Sequence, residues 1–139
     1  HTIMTKTNIE KALIFALSWS GHNPSKNRTV RNSEETYALE LYRKEYWDAL
    51  ACDTMDWPMA MAVFDTAITC GVSRAKRWLK RSNGSHSSTK EQVTLLLQDR
   101  IIHHLKLIKE NPALHKYKRG WLNRVNDLKK YIEINNSTF

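Results

Sequence analysis

The stretch WPMAMAVFDTAITCG, residues 57–71, decides the fold. It is apolar on nearly every side, which is typical of a helix at the centre of a domain. Pro58 falls in the first turn, where its missing N–H costs no hydrogen bond, and Gly71 marks the end. Phe64 is therefore expected in the middle of the core. Asp65 would be costly to bury alone, so we interpret it as a structural carboxylate with a hydrogen-bond or cationic partner.

Helical patterns also lie on the N-terminal side of this segment. Thr7 and Glu10 stand three residues apart before an apolar run and predict a capping box that opens a first helix. Gly21 is expected to end that helix. A second helix should begin near Ser33, with acidic residues in its first turn where the helix dipole favours them, and finish at Trp47.

Three further helices are predicted on the C-terminal side. Ser73 is expected to cap a short basic helix, and Thr89 with Gln92 predicts a second capping box. The next helix has the clearest helical period in the chain, and Asn111-Pro112 ends it. Its inward side is predicted to carry Val93, Leu96, Leu97, Arg100, Ile101, His104, Leu105 and Ile108. A last helix should pack through Trp121, Val125, Leu128 and Ile132.

The composition agrees with a helical domain. The 139 residues are enough for one core but include only four glycines and three prolines. This scarcity of turn-forming residues disfavours an all-β fold built from many hairpins. We therefore predict an all-α fold, with a single domain of about six helices over residues 1–139.

The chain is strongly basic, with 22 lysines and arginines against 14 acids, a net charge of +8 and a pI near 9.6. This charge favours polyanionic partners: nucleic acid, acidic cell-wall polymers, anionic membrane or an acidic protein face. A basic surface with no dedicated partner is the plain alternative. The longest wholly apolar run, residues 12–17, is too short to cross a membrane, so no membrane span is predicted. No secretory signal is recognisable.

Metal and cofactor chemistry finds little support in the sequence. Cys52 and Cys70 have no CxxC partner, so we expect reduced thiols, no zinc site and no cofactor. His103 and His104 lie on the long amphipathic helix, with His104 on its apolar side. A core histidine is the favoured interpretation there, ahead of a metal ligand.

Four phrases of the sequence, in this order, resemble one family of enzymes. They are EKALIFALSWSG (10–21), ELYRKEYWDALACD (40–53), MAMAVFDTAITCGVSRAKRWLKR (59–81) and KYKRGWLNRVNDL (116–128). They are similar to successive helices of the phage and bacterial N-acetylmuramidases (endolysins) of glycoside hydrolase family 108, the last phrase to their C-terminal peptidoglycan-binding region. The resemblance implies one degenerate, lysozyme-like helical domain. Its lysozyme-like half would span residues 1–81 and its peptidoglycan-binding-like half residues 89–134.

The chain departs from this family where the enzymes catalyse. Their first helix ends in Glu-Gly-Gly, and the resemblance places Ser20 at the glutamate that acts as general acid, followed by Gly21 and His22. A serine hydroxyl cannot protonate a glycosidic oxygen at neutral pH. The long segment that forms the family's cleft wall is missing, because only about twenty residues separate Gly21 from Tyr42. The family's Asn-His-Gly is replaced by residues 69–71, Thr-Cys-Gly.

Other catalytic arrangements are weaker hypotheses. A relocated catalytic carboxylate could be any of five acids: Glu10, Glu34, Glu35, Asp53 and Asp56. Helix capping or the helix dipole explains the position of each one. Ser18, Ser20 and His22 have the residue types of a hydrolytic triad, but no acid in the segment orients the histidine.

The basic residues form the predicted binding surface. Lys26, Arg28 and Arg31 fall in the loop that replaced the cleft. The short basic helix contributes Arg74, Lys76, Arg77, Lys80 and Arg81, and Lys116, Lys118 and Arg119 precede Trp121. Cationic stripes near aromatic rings bind nucleic-acid backbones, whereas an ordinary solvated face is the alternative.

These features favour an inactive, phage-derived muramidase relative retained for binding. The expected partner is an acidic macromolecule, a host protein or nucleoprotein complex, and inhibition of a host defence complex such as a CRISPR effector is a concrete form of this hypothesis. That function implies the host cytoplasm. The alternative is peptidoglycan binding, or a still-active lysozyme with a rebuilt site, in the cell wall or periplasm.

Overall fold

The computed structural model describes residues 7–19, 33–84 and 88–136, and the side chains of residues 33 and 34 are outside that description. These ranges fold into six α-helices: α1 (Asn8–Trp19), α2 (Ser33–Tyr42), α3 (Trp57–Cys70), α4 (Val72–Asn83), α5 (Thr89–Glu110) and α6 (Lys118–Ile134). Shorter helical turns cover Arg43–Asp48, Cys52–Thr54 and Pro112–Tyr117. The described residues contain no strand, so the predicted all-α fold is confirmed.

The central helix is α3, as the sequence predicted. Every residue from Met59 to Ala67 is buried, and α3 packs against α1, α4, α5 and α6. Phe64 is 0% exposed, and its ring meets that of Trp47 edge-on at 5.4 Å between centroids. The prediction of Phe64 at the core is therefore confirmed.

The helix ends confirm some predicted caps and correct others. Thr7 and Glu10 form the expected box, since the backbone N–H of each donates to the other's side chain at 2.9 and 3.3 Å. Ser73 does not cap α4, which begins one residue earlier, directly after Gly71. Gly71 takes φ of 97°, a conformation that strains any residue with a Cβ, and this lets the chain turn at once from α3 into α4.

The box at the start of α5 also lies one residue earlier than predicted. Ser88, not Thr89, is the N-cap: its hydroxyl accepts from the N–H of Glu91 at 3.3 Å and donates to the Glu91 carboxylate at 3.0 Å. On the same helix Leu105 is 42% exposed, so its predicted inward position is wrong. The remaining members of the predicted apolar side are buried or partly buried.

The second helix changes form before its predicted end at Trp47, because the α-helix stops at Tyr42. Residues Arg43–Asp48 form a π-helical turn, which rotates Trp47 into full burial against α3. Ala51 follows in the left-handed region, with φ of 54°.

The end of α6 is joined to the beginnings of α1 and α3. The Tyr131 hydroxyl donates to the carbonyl of Lys11 at 2.6 Å, and the Lys11 ammonium donates to the carbonyl of Asn135 at 3.0 Å. The indole of Trp57 donates to the carbonyl of Ile132 at 3.0 Å. The C-terminal helix is therefore an integral part of the core around α3.

Candidate functional site

The end of α1 is where the family resemblance locates a catalytic acid. Ser20 and His22 lie outside the described residues, and Trp19 is the last residue before them. The Trp19 indole donates to Oδ2 of Asp127 at 3.0 Å, and the guanidinium of Arg124 lies 5.6 Å from its ring. Two side chains of α6 therefore fix the end of α1.

A buried ion-pair network lies behind this contact, centred on Asp65. Arg100 Nη1 donates to its Oδ2 at 3.0 Å, and Arg124 donates through Nη2 to Oδ1 at 2.6 Å and through Nε to Oδ2 at 3.1 Å. Asp65 and Arg100 are 0% exposed. The predicted structural role with cationic partners is confirmed, and a sugar in solution cannot reach this carboxylate.

The other candidate acids occupy structural positions or lie outside the description. Glu10 belongs to the first capping box, and Asp53 accepts from the Trp47 indole at 2.9 Å. Asp56 stands at the N-cap of α3, but its side chain makes no capping hydrogen bond, so that prediction is wrong. Glu35 is only 1% exposed, and its expected place in the first turn of the second helix did not predict this burial.

Cys70 and His104 form a buried pair at the end of α3. The Cys70 Sγ lies 3.9 Å from Nε2 of His104. Burial raises the pKa of the Cys70 thiol above its usual value. Burial, with the nearby Arg100 and His103, lowers the pKa of His104 to about 4. Both groups are therefore neutral near neutral pH, which disfavours the thiolate–imidazolium pair that a cysteine nucleophile requires.

His104 is a core residue, as predicted, but only part of its ring is engaged. It is 3% exposed and stacks on Trp121 at 4.7 Å between centroids, with 19° between the ring planes. Its Nδ1 is buried without a hydrogen-bond partner in the described part of the chain. The prediction of a core position is confirmed, whereas full hydrogen bonding of the ring is not found.

The basic helix α4 separates its apolar and cationic residues onto two sides. Ala75 and Trp78 are buried, and Leu79 is partly buried against the core. The five cations of α4 are all exposed; we call them the α4 basic face, and they are Arg74, Lys76, Arg77, Lys80 and Arg81. The structure thus brings these predicted binding residues together on one solvent-facing side.

Only two of these cations have a partner within the part of the chain that the structure describes. Arg81 Nε lies 3.2 Å from Oδ2 of Asp99, and Arg74 Nη1 donates to the carbonyl of Cys70 at 3.1 Å. Lys76, Arg77 and Lys80 make no ion pair with any described residue. Like charges on one helix repel each other, and a bound anion would relieve this repulsion. The α4 basic face therefore favours the binding of an anion.

Rings continue from α4 across α5 to the start of α6. His103 lies 5.5 Å from Trp78 and 6.0 Å from His104, and Trp121 lies 5.7 Å from Tyr117. With the His104–Trp121 stack, these contacts make a continuous series, which we call the ring strip: Trp78, His103, His104, Trp121 and Tyr117. The sequence shows that His103 and His104 are adjacent on one helix. It does not show the stacking of His104 on Trp121, because that contact depends on how α5 and α6 pack.

Two of the three cationic regions of the sequence lie near the ring strip, one towards each end. Burial together with Arg74, Arg77 and Lys106 lowers the pKa of His103, so the charge of the α4 basic face reaches this ring. At the other end, the Lys116 ammonium lies 5.3 Å from the ring of Tyr117. The predicted loop cations Lys26, Arg28 and Arg31 lie outside the described residues.

A cleft of about 960 Å³ opens elsewhere, where the first turns of α1, α3 and α5 meet the end of α6. Its lining combines apolar side chains such as Val93 and Ile132 with opposite charges, Lys90 and Glu133. No residue of α4 lines it. Because its charges have both signs, the cleft has no evident preference for an anion.

The described ranges offer neither a metal cluster nor a helix that could span a membrane. Within residues 7–19, 33–84 and 88–136, no group of three or more His, Cys, Asp or Glu side chains is placed to hold a metal ion. Cys52 and Cys70 are both buried, free thiols. None of the described helices has the length and apolar character needed to cross a membrane.

Comparison with known proteins supports the family resemblance for the first part of the chain. Residues 5–71 match the model of the glycosyl hydrolase 108 family. The match ends at Gly71, so it includes α1 to α3 but not α4, α5 or α6. No curated protein and no solved structure matches the chain. The origin of residues 5–71 in a muramidase-like scaffold is thus supported, and the resemblance of the C-terminal part stays a prediction.

Proposed function

We propose that this protein is a catalytically inactive muramidase-like protein that binds an acidic macromolecule through the α4 basic face. The observation that carries the proposal is that most α4 cations have no acidic partner. Among the described residues only Arg81 has one. The apolar side of α4 packs on the core, so the cationic side is exposed to solvent. An acidic partner would turn the repulsion between these cations into attraction and accelerate encounter.

Two features support the loss of hydrolysis. Ser20 stands where the family has its general acid, and the segment that forms the family's cleft wall is absent from the sequence. Nearby carboxylates have other tasks, since Asp65 is buried between two guanidinium groups and Asp127 holds the Trp19 indole. Glycoside hydrolysis needs two carboxyl groups placed on either side of the sugar bond.

The partner that we propose is an acidic host protein or a nucleoprotein complex, a class that includes CRISPR effectors. Binding such a partner would take place in the host cytoplasm. Peptidoglycan is the alternative partner, which the family match to residues 5–71 favours, and it would place the protein at the cell wall or in the periplasm.

A charge reversal on α4 tests this proposal. The α4 triple variant replaces Lys76, Arg77 and Lys80, which make no ion pair in the described structure, by Glu. A matched control reverses three exposed cations outside α4: Arg43, Lys44 and Lys129. Both variants change the net charge equally, so a difference between them reports the location of the charge.

Binding to immobilised heparin, polyglutamate and purified peptidoglycan should be measured over a series of salt concentrations. We expect the α4 triple variant to lose salt-sensitive binding to the acidic polymers, and the control to keep most of it. Equal loss in both variants would show that only net charge matters, and would contradict the proposal. Salt-insensitive binding to peptidoglycan that neither variant changes would favour the peptidoglycan alternative.

A further inference from the structure

The ring strip ends in an accessible aromatic surface. Trp78 and His104 are nearly enclosed, at 9% and 3% exposed, and Trp121 is half-buried. Tyr117, the last ring of the series, is 47% exposed. It is inclined at 31° to Trp121, which therefore supports one side of it. The strip thus ends in a ring that is held from within and open to solvent.

Cations lie close to both ends of the strip. Lys116 lies against the ring of Tyr117, and Lys118 and Arg119 follow it directly in the chain. Towards the other end, burial and the positive charges of Arg74, Arg77 and Lys106 lower the pKa of His103, and Glu110 opposes them. The ring strip therefore connects two cationic regions, the α4 basic face and the residues around Tyr117, and Tyr117 is the exposed ring of the strip. The exposed cations and Tyr117 together form the candidate surface.

We propose that this surface binds single-stranded nucleic acid, with the phosphates on the cations and a base stacked on Tyr117. This inference rests on the proposed function, since it names the chemistry of the acidic partner at the same surface. An acidic protein would use the cations alone, whereas unpaired bases gain further binding energy from an exposed ring. A duplex hides the faces of its bases within the stack, so the ring selects single strands over double strands.

Fluorescence anisotropy with labelled strands of about 20 nucleotides tests the inference, a length greater than the roughly 4–16 nucleotides that one OB-fold covers. The probes are an oligothymidylate, an abasic strand with the same sugar–phosphate backbone, and a duplex of the same length. Tyr117→Ala removes the ring, and Tyr117→Phe is the control because it keeps the ring and loses only the hydroxyl. The α4 triple variant and its matched control are measured with the same probes.

We expect the oligothymidylate to bind about tenfold more tightly than the abasic strand, in proportion to one stacked base. Tyr117→Ala should remove this difference, and Tyr117→Phe should keep it. The α4 triple variant should weaken the binding of both strands. It should also reduce the slope of log affinity against log salt by about 0.7 for each phosphate that the protein no longer neutralises.

The outcomes separate this inference from the proposed function. Equal affinity for base-bearing and abasic strands, or no effect of Tyr117→Ala, would overturn the inference. The proposed function would then stand if the α4 triple variant still lost its binding to heparin and polyglutamate. If neither Tyr117→Ala nor the α4 triple variant changes the binding of any probe or polymer, the inference and the proposed function are both overturned.

Discussion

Nη2 of Arg124 lies 2.6 Å from Oδ1 of Asp65, which connects the last helix of the chain to the central one. Arg100 of α5 binds the same carboxylate, so one buried acid holds α3, α5 and α6 together. Nε and Nη2 of Arg100 have no hydrogen-bond partner in the described residues. The buried guanidinium of Arg100 therefore depends on Asp65 for its compensation.

Replacement of Asp65 is accordingly expected to destabilise the fold strongly. Asp65→Ala leaves Arg100 buried without its counter-charge, and we expect a loss of about 3–5 kcal/mol in the free energy of unfolding, measured by urea denaturation. Arg124→Ala is the comparison, because Asp65 keeps Arg100 and the side chain of Arg124 is 13% exposed. A loss for Asp65→Ala no greater than that for Arg124→Ala would contradict the central role of this carboxylate.

The core contact between Phe64 and Trp47 gives a second prediction. Both side chains are 0% exposed and meet edge-on, so Phe64→Ala removes an enclosed ring and leaves a cavity. We expect a loss of about 3–5 kcal/mol on the same denaturation measurement, whereas Phe64→Leu should cost less because it fills more of the space. A cost below about 1 kcal/mol for Phe64→Ala would show that the position is not fully packed.

The start of α5 distinguishes two caps that differ by one residue. Ser88→Ala removes the observed cap and should cost about 1 kcal/mol, whereas Thr89→Ala should change stability by less than about 0.5 kcal/mol. Thermal denaturation of the two variants, read by far-UV circular dichroism, makes the comparison. A larger effect at Thr89 would place the box in the register that the sequence predicted.

Much of the fold was predictable because the apolar pattern of each helix is clear. The burial of α3 followed from its composition. Arg100 stands among the apolar positions of α5, and an arginine in such a position indicates a buried acidic partner such as Asp65. The register of the cap was not predictable in this way. Ser88 and Thr89 are both good N-cap residues, and each has Glu or Gln three positions later, so the pattern permits either box.

The candidate site was predictable only in part. Helical spacing alone predicts Arg74, Arg77 and Arg81 on one face of α4, with Lys76 and Lys80 on a neighbouring face. The ring strip was not predictable, because the stacking of His104 on Trp121 depends on the packing of α5 against α6. The π-helical turn that contains Trp47 was not predicted either, because the sequence pattern was interpreted with the ordinary helical period of about 3.6 residues.

The depressed pKa of His104 makes stability depend on pH. Its folded-state pKa of about 4 lies below the ordinary value of 6.5, so between these values the unfolded chain binds a proton that the folded chain does not. The contribution of His104 to the free energy of unfolding is therefore fully present above about pH 6.5. It is lost as the pH falls towards 4, by roughly 3 kcal/mol in total.

Urea denaturation across this pH range measures the effect. His104→Phe keeps a ring against Trp121 but cannot titrate, and it should flatten the pH dependence. Part of the slope should remain, because the pKa of His103 is also lowered. His115→Gln, at an exposed position, is the matched control for the replacement of a histidine. An equally steep pH dependence in His104→Phe would show that other groups produce it.

The last prediction concerns hydrolysis itself. The purified protein should neither clear peptidoglycan suspensions nor release muropeptides at any pH from about 4 to 8, the range in which a carboxyl acid operates. Ser20→Glu places an acid where we propose that the family's glutamate was replaced, yet we expect this variant to stay inactive. An acid alone cannot orient the sugar chain, and we propose that the segment that forms the family's cleft wall was lost as well. An active family muramidase serves as the positive control.

Turnover by the wild-type protein that is abolished by Asp56→Ala or Asp127→Ala would show a rebuilt active site, because both carboxylates are exposed and Asp127 lies against Trp19 at the end of α1. Turnover by Ser20→Glu alone would instead show that the remaining scaffold still binds the glycan productively, and that the loss of one carboxyl group was what silenced the enzyme.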